Sequence, residues 1–136
     1  MPAAVSGFAG ALRRDVKCMG ALAMMRVALS LAGYRWIRAR MPHSGPSPDG
    51  HYYARQLARR IERLAGFVPG ASCLTQALAL QWLLARGGHG SDLHIGVRRA
   101  GDGRFAAHAW VSCNGRVVLG AAGTLLADYT PLVGAR

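Results

Sequence analysis

The chain has 136 residues, a length at which one compact domain is expected, and its formal net charge is +11. Apolar and aromatic residues make up 51% of the sequence and charged residues 17%, which excludes a disordered basic tail. Lys17 is the only lysine, so the positive charge is carried almost entirely by arginine. Because arginine binds carboxylates and phosphates, an acidic peptide, a nucleic acid and an anionic lipid are all compatible partners.

The N-terminal third predicts one long helix followed by a loop. Residues 1–12 are small and apolar with little periodicity, and we interpret them as a loose lead-in. A helix is predicted from Cys18 to Arg38. It contains a hydrophobic stretch, but Arg26 interrupts that stretch and would cost about 2.5–3.5 kcal/mol at the centre of a bilayer. We therefore expect a soluble helix, with peripheral membrane contact as the less favoured alternative. Residues 41–50 contain three prolines and predict a loop.

Two further helices are predicted in the middle of the chain. Asp49 is the expected N-cap of a helix over Tyr52–Leu64, which has one apolar face and one arginine-rich face. That basic face is interpreted either as a solvated surface or as a docking site for an acidic partner, the first being favoured. A third helix is predicted over Ser72–Arg86 and closed by Gly87-Gly88. It is apolar nearly all round, as expected of a helix buried within a domain.

Beyond the third helix the hydrophobic period changes from helical to two. Alternating apolar residues in DLHIGVRR predict one strand, and RFAAHAWVS predicts a second. Asn114-Gly115 is a strong hairpin signal and leads into a third strand, RVVLG. No element is assigned to residues 123–136. Helices followed by a small antiparallel sheet predict an α+β fold, which we expect to form a single domain over residues 1–136.

Cys73 lies at a position where a thiolate would be stabilised. It begins the most buried helix, where free backbone N–H groups and the helix dipole favour an anion. The alternative is a small buried apolar residue, since free cysteines are often buried. The other cysteines, Cys18 and Cys113, are interpreted as packing and bystander thiols. No CxxC pair is present, so neither a zinc ribbon nor a thioredoxin-type site is expected. The odd count without a signal peptide predicts a reducing compartment, and we expect a cytoplasmic protein.

His108 lies in the middle of the second predicted strand, flanked by Ala107 and Ala109. Small neighbours leave room for another group to approach, as a base that accepts a thiol proton requires. The alternative is a half-buried structural histidine. Trp110 should share its face of the strand, either as core or as a shield of the ring from water. His89 and His94 form no metal-ligand pattern with a third partner, so no metal or other cofactor is expected.

The stretch CLTQALALQWLLARGGHGSDLHIGVRR followed by FAAHAWVSCNGRVVLG resembles the leader peptidases of lasso peptide biosynthesis. That family is similar to the C-terminal half of the microcin-processing protein and belongs to the transglutaminase-like superfamily of papain-type cysteine proteases. The resemblance covers about Pro69 to Leu132. It implies a helical N-terminal part over residues 1–68 and a transglutaminase-like catalytic core over residues 69–136.

The resemblance further implies a cysteine peptidase that removes the leader from a ribosomally made lasso precursor. Cys73 would be the nucleophile and His108 the general base and acid. A separate leader-recognition protein would deliver the precursor, and a separate ATP-dependent cyclase would close the ring, as in other pathways of antibiotic and RiPP maturation. No separate leader-recognition domain is expected in this chain.

The family's third catalytic residue is usually an aspartate on the strand after the histidine, and the matching stretch here, residues 118–121, has no carboxylate. A two-residue turn at Asn114-Gly115 would place Ala121 opposite His108. Three alternatives remain open. Asp128 could hold the ring, a backbone carbonyl or water could hold it, or catalysis could be lost.

Two rival functions follow from the same residues. The missing carboxylate favours a catalytically silent adaptor that binds leader peptide and partner proteins. The charge of +11 is the only support for a nucleic-acid binder, since no recognition helix and no aromatic-basic strand are present. We expect no nucleic-acid partner.

Overall fold

The computed structural model describes residues 2–42, 45, 50–99, 101–120 and 129–133. Helices precede strands along the chain, which confirms the α+β class. The helices are α1 (Pro2–Leu31), α2 (Tyr34–Arg40), α3 (Gly50–Ala65) and α4 (Cys73–Arg86). The strands are β1 (Asp92–Arg99), β2 (Phe105–Cys113), β3 (Arg116–Leu119) and β4 (Thr130–Val133).

The N-terminal helices differ from the prediction in two ways. The loose lead-in over residues 1–12 is wrong, because α1 already begins at Pro2. This stretch is rich in alanine, which has the highest helix propensity, and proline is well tolerated in the first turn. The single helix predicted up to Arg38 is interrupted at Gly33, whose φ of 86° lies in the left-handed region. α2 therefore starts as a separate helix.

The two central helices confirm the predictions to within about two residues at each end. α3 buries Ala54, Ala58 and Ile61, which recur at helical spacing along its apolar face. α4 begins directly after Ser72 and ends where His89 N–H donates to the Leu84 carbonyl oxygen at 2.8 Å. The predicted N-cap, Asp49, lies outside the described residues.

The sheet is antiparallel and its strand order is β3-β2-β1-β4. The predicted hairpin between β2 and β3 is confirmed, since Asn114 and Gly115 have φ values of 53° and 79°, as a type I′ turn requires. β4 pairs with the outer side of β1 and was not predicted. The segment between β3 and β4 that covers residues 121–128, and therefore Asp128, lies outside the described residues.

The helices pack against one face of the sheet. The covered face contributes Leu93, Ala109, Val111, Cys113 and Leu119 to the hydrophobic core, which α1, α3 and α4 complete. Strand alternation places the intervening residues of β1 and β2 on the opposite face. Within the described ranges, no helix combines the length and hydropathy that a membrane span needs.

Candidate active site

Cys73 is the first residue of α4, and the helix start is organised around it. The Ser72 Oγ accepts a hydrogen bond from the Thr75 N–H at 3.3 Å, which makes Ser72 the N-cap. In the part of the chain that is described, the N–H groups of Cys73 and Leu74 have no backbone acceptor. The half-buried Cys73 side chain packs against the edge of the core. A thiol and two free N–H donors therefore occupy one helix end.

His108 projects from the middle of β2, and a main-chain atom holds its ring. The Nε2 atom lies 2.5 Å from the carbonyl oxygen of Gly120. A carbonyl oxygen can only accept, so Nε2 carries the proton. In the neutral ring, Nδ1 is then the nitrogen with the free lone pair. The hydrogen bond thus fixes both the orientation of the ring and the nitrogen that can take up a proton.

Four ring side chains, which we call the aromatic face, lie on the side of the sheet that points away from the helical core: His94, His108, Trp110 and Tyr129. Trp110 stacks on His94 with the ring centroids 5.5 Å apart and on His108 with the centroids 5.9 Å apart. Tyr129 lies against His108 at a centroid distance of 5.5 Å. The His94 Nε2 is also within 2.8 Å of the Ser112 Oγ. The rings immobilise one another, and Trp110, which is 8% exposed, shields one side of His108 from water.

The register between β2 and β3 differs from the sequence prediction. Cys113 pairs with Arg116 as the two-residue turn requires, but a bulge next to Val111 moves its partner to Leu119. The predicted pairing of His108 with Ala121 assumed a constant register, and the described register instead shifts by one residue at Val111. Ala121 and the candidate Asp128 both lie outside the described residues. The Gly120 carbonyl is the group that the structure places on the ring.

One side-chain hydrogen bond ties α4 to the sheet. The Gln81 Nε2 donates to the Ser91 carbonyl oxygen at 3.2 Å, which joins the middle of α4 to the residue that precedes β1.

The His108 side chain points away from α4, the helix that carries Cys73. Ala109 faces the core, so alternation turns His108 towards the aromatic face, away from the side on which α4 packs. Among the described residues, no hydrogen bond connects the Cys73 thiol with the His108 ring.

The other two thiols are enclosed. Cys18 is 0% and Cys113 1% exposed. Burial raises the pKa of the Cys18 thiol to about 11, although the nearby Arg60 guanidinium acts in the opposite direction. Burial also raises the pKa of Cys113, whose Sγ donates to the Gly90 carbonyl oxygen at 3.3 Å. In the described ranges, no three His, Cys, Asp or Glu side chains are grouped to hold a metal ion.

Sequence reasoning left a backbone carbonyl open as the acceptor for His108 but did not identify Gly120, and it missed Tyr129. Gly120 acts through its carbonyl, a group that every residue carries, so the sequence offers no signal for it. Tyr129 reaches the aromatic face only because β4 pairs with β1.

A helix-start cysteine and a strand histidine on an α+β scaffold define a class of protein. The transglutaminase-like superfamily domain matches residues 21–134, and the chain belongs to this superfamily, which includes cysteine peptidases. The match begins in α1, well before Pro69. Neither a curated protein nor a solved structure matches the chain.

Proposed function

We propose that the protein is a cysteine peptidase that removes the leader from a lasso peptide precursor. The observation that carries the proposal is the hydrogen bond from His108 to the Gly120 carbonyl, which leaves Nδ1 as the nitrogen with the free lone pair. Membership of the transglutaminase-like superfamily supports the reaction class. The lasso precursor as substrate rests on the sequence resemblance over residues 69–132.

The proposed reaction is acyl transfer through a thioester. The Nδ1 of His108 takes the proton of the Cys73 thiol, and Sγ attacks the scissile carbonyl carbon. The N–H groups of Cys73 and Leu74 stabilise the oxyanion, since both are free of backbone acceptors in the described structure. The tetrahedral intermediate collapses as His108 returns the proton to the leaving amine. Water then attacks the thioester, and the acid product and the free thiol are released.

The geometry also sets a condition on the proposal. The Cys73 thiol and the His108 ring share no hydrogen bond in the described structure, so in this proposal the catalytic pair forms when the precursor binds. Binding of the precursor, delivered by a separate leader-recognition protein, would supply the free energy for that change. In this scheme, an ATP-dependent cyclase acts on the released core peptide, and the reactions take place in the cytoplasm without a cofactor.

The experiment combines the protein with a lasso precursor and its leader-recognition protein and follows the products by mass spectrometry. Cys73→Ala and His108→Ala should abolish cleavage, whereas Cys113→Ala, a matched thiol substitution away from the helix start, should retain it. Circular dichroism checks that each variant folds. Cleavage by a folded Cys73→Ala protein at the wild-type rate would falsify the assignment.

The absence of a hydrogen bond between Cys73 and His108 among the described residues favours a second candidate, a catalytically silent adaptor. Such a protein would bind the precursor and its recognition protein without cutting. It predicts that wild-type protein and the Cys73→Ala variant bind the precursor equally and that neither releases a product. Formation of a wild-type acyl-enzyme, detected as a mass increase on the Cys73 peptide, would exclude the adaptor.

A further inference from the structure

A long groove follows the outer side of α1. Its first part is a cavity of about 710 Å³ between α1, α3 and the end of α4. Its second part is a cavity of about 610 Å³ between α1, α2 and α4. Met24 and Trp82 line both cavities, so the two parts adjoin each other, and we call them together the α1 groove. It extends from Gly10 to Ala28, about 27 Å along the helix.

The first part of the groove is strongly basic. Arg13, Arg14 and Lys17 line it from α1, Arg86 lines it from α4, and the described residues of the lining include no carboxylate. Asp15 is the acidic residue of α1, but it binds Arg60 at 2.5 Å and Arg63 at 2.9 Å on α3. The negative charge of Asp15 therefore compensates the two α3 arginines and not the cations that line the groove. Four cations with no acidic side chain among the described lining residues create a positive potential that favours an anionic ligand.

The second part of the groove is apolar. Met25, Ile37 and Met41 form a buried floor, and among the described lining residues only Arg40 is charged. Two walls are open to solvent, since Val27 is 55% and Trp36 46% exposed. Contiguous exposed apolar surface of this kind marks interaction sites.

We propose that the α1 groove binds a peptide segment of a partner protein that carries acidic side chains at one end and large apolar side chains at the other. Arginine forks bind carboxylates with two hydrogen bonds, and the apolar part accepts the hydrophobic side chains. A length of 27 Å accommodates about eight extended residues. A concave groove suits a peptide better than a flat bilayer, and a free phosphate would leave the apolar part empty. Neither Cys73 nor His108 lines the groove, so the proposal is independent of peptidase activity.

Gly20 provides a way to close the groove without damaging the helix. It lines the basic part, and a Cβ built on it meets nothing within 4 Å. Leucine has a higher helix propensity than glycine by nearly 1 kcal/mol. A Gly20→Leu variant should therefore fold at least as stably as the wild type while its side chain occupies the groove.

The test measures fluorescence anisotropy with a labelled eight-residue peptide that has three glutamates at one end and three leucines at the other, synthesised in both orders. At least one order should bind saturably, and replacing its glutamates by glutamine or its leucines by serine should weaken binding at least about tenfold. Gly20→Leu and the double variant Arg13→Gln/Lys17→Gln should weaken it to a similar extent. The matched control, Arg55→Gln/Arg59→Gln, removes the same charge from the exposed face of α3 and should change the affinity less than about twofold.

Three outcomes would overturn the proposal. The first is that neither peptide order binds saturably. The second is that the control double variant loses as much affinity as the groove double variant. The third is that a folded Gly20→Leu protein binds the peptide as tightly as the wild type. Phosphatidylglycerol vesicles and inorganic phosphate serve as alternative probes. Binding of either that is stronger than peptide binding and sensitive to Gly20→Leu would assign the groove to a lipid surface or to phosphate instead.

Discussion

The Nε2 atom of His108 lies 2.5 Å from the carbonyl oxygen of Gly120, and a backbone carbonyl is one of the alternatives that the sequence left open for holding this ring. A neutral carbonyl orients the ring and fixes its tautomer, but it adds no negative charge beside it. The position can be occupied by a main-chain atom because the chain folds tightly against Trp110 at this point. A Cβ on Gly120 would lie 2.8 Å from the Trp110 Cβ and 2.9 Å from the Ala109 oxygen.

Gly120→Ala should therefore release His108 from its acceptor. The new Cβ cannot be accommodated at these distances, and Gly120 has a φ of 94°, so the backbone must move and carry the carbonyl with it. We expect the ¹⁵N signals of the His108 ring to change from a single tautomer towards a mixture. Gly103→Ala is the matched control, since Gly103 has a φ of 86° and open space around it.

The two alanine variants should also differ in stability. Both incur the cost of a side chain at positive φ, about 1–2 kcal/mol. Only Gly120→Ala adds steric overlap, typically a further 1–3 kcal/mol. Urea denaturation measures the difference. Equal stabilities together with an unchanged His108 tautomer would contradict the proposed role of Gly120.

Local signals explain what the sequence predicted at this site. Ser72 followed by an apolar run indicates a helix start, and Asn114-Gly115 indicates a hairpin, because both depend on residues adjacent in the chain. The bulge next to Val111 and the pairing of β4 with β1 depend on contacts between distant segments. Alternation along the strand correctly placed His108 and Trp110 on the same face. It did not show on which side of the sheet α4 packs, because that also depends on contacts between distant segments.

Thiol alkylation tests whether Cys73 is the accessible and reactive cysteine. Cys18 and Cys113 are enclosed, and burial raises the pKa of both thiols, so both should react slowly. We expect iodoacetamide at pH 7.5 to modify the half-buried Cys73 at least about tenfold faster than either. Mass spectrometry of the peptides gives the three rates, and Cys73→Ser should remove the fast phase. Equal, slow labelling of all three thiols would favour the adaptor.

The N-cap of α4 should contribute measurably to stability. Ser72→Ala removes the acceptor of the Thr75 N–H, and losing such a cap costs about 0.5–2 kcal/mol. Ser72→Asp keeps an acceptor at the same position and should recover most of the loss. Urea denaturation compares the three proteins. The interpretation of Ser72 as the cap is wrong if the alanine and aspartate variants are equally destabilised.

The Cys18 thiol should make the free energy of unfolding depend on pH in the alkaline range. Burial raises its pKa from 9.0 to about 11 in the folded protein, so the folded state holds the proton more tightly than the unfolded chain does. This contribution is fully present below pH 9 and is lost as the pH rises from 9 to 11, at about 1.4 kcal/mol per pH unit. Stability should therefore fall in that window.

Comparison with Cys18→Ala isolates the effect of this thiol. The variant loses packing in the core at every pH, so it should be less stable than the wild type at pH 8. Tyrosine and lysine side chains titrate in the same range, but their contribution is common to both proteins. The difference in unfolding free energy should consequently shrink by about 2–3 kcal/mol between pH 8 and pH 11. A difference that stays constant across this range would show that the Cys18 thiol does not resist ionisation in the folded core.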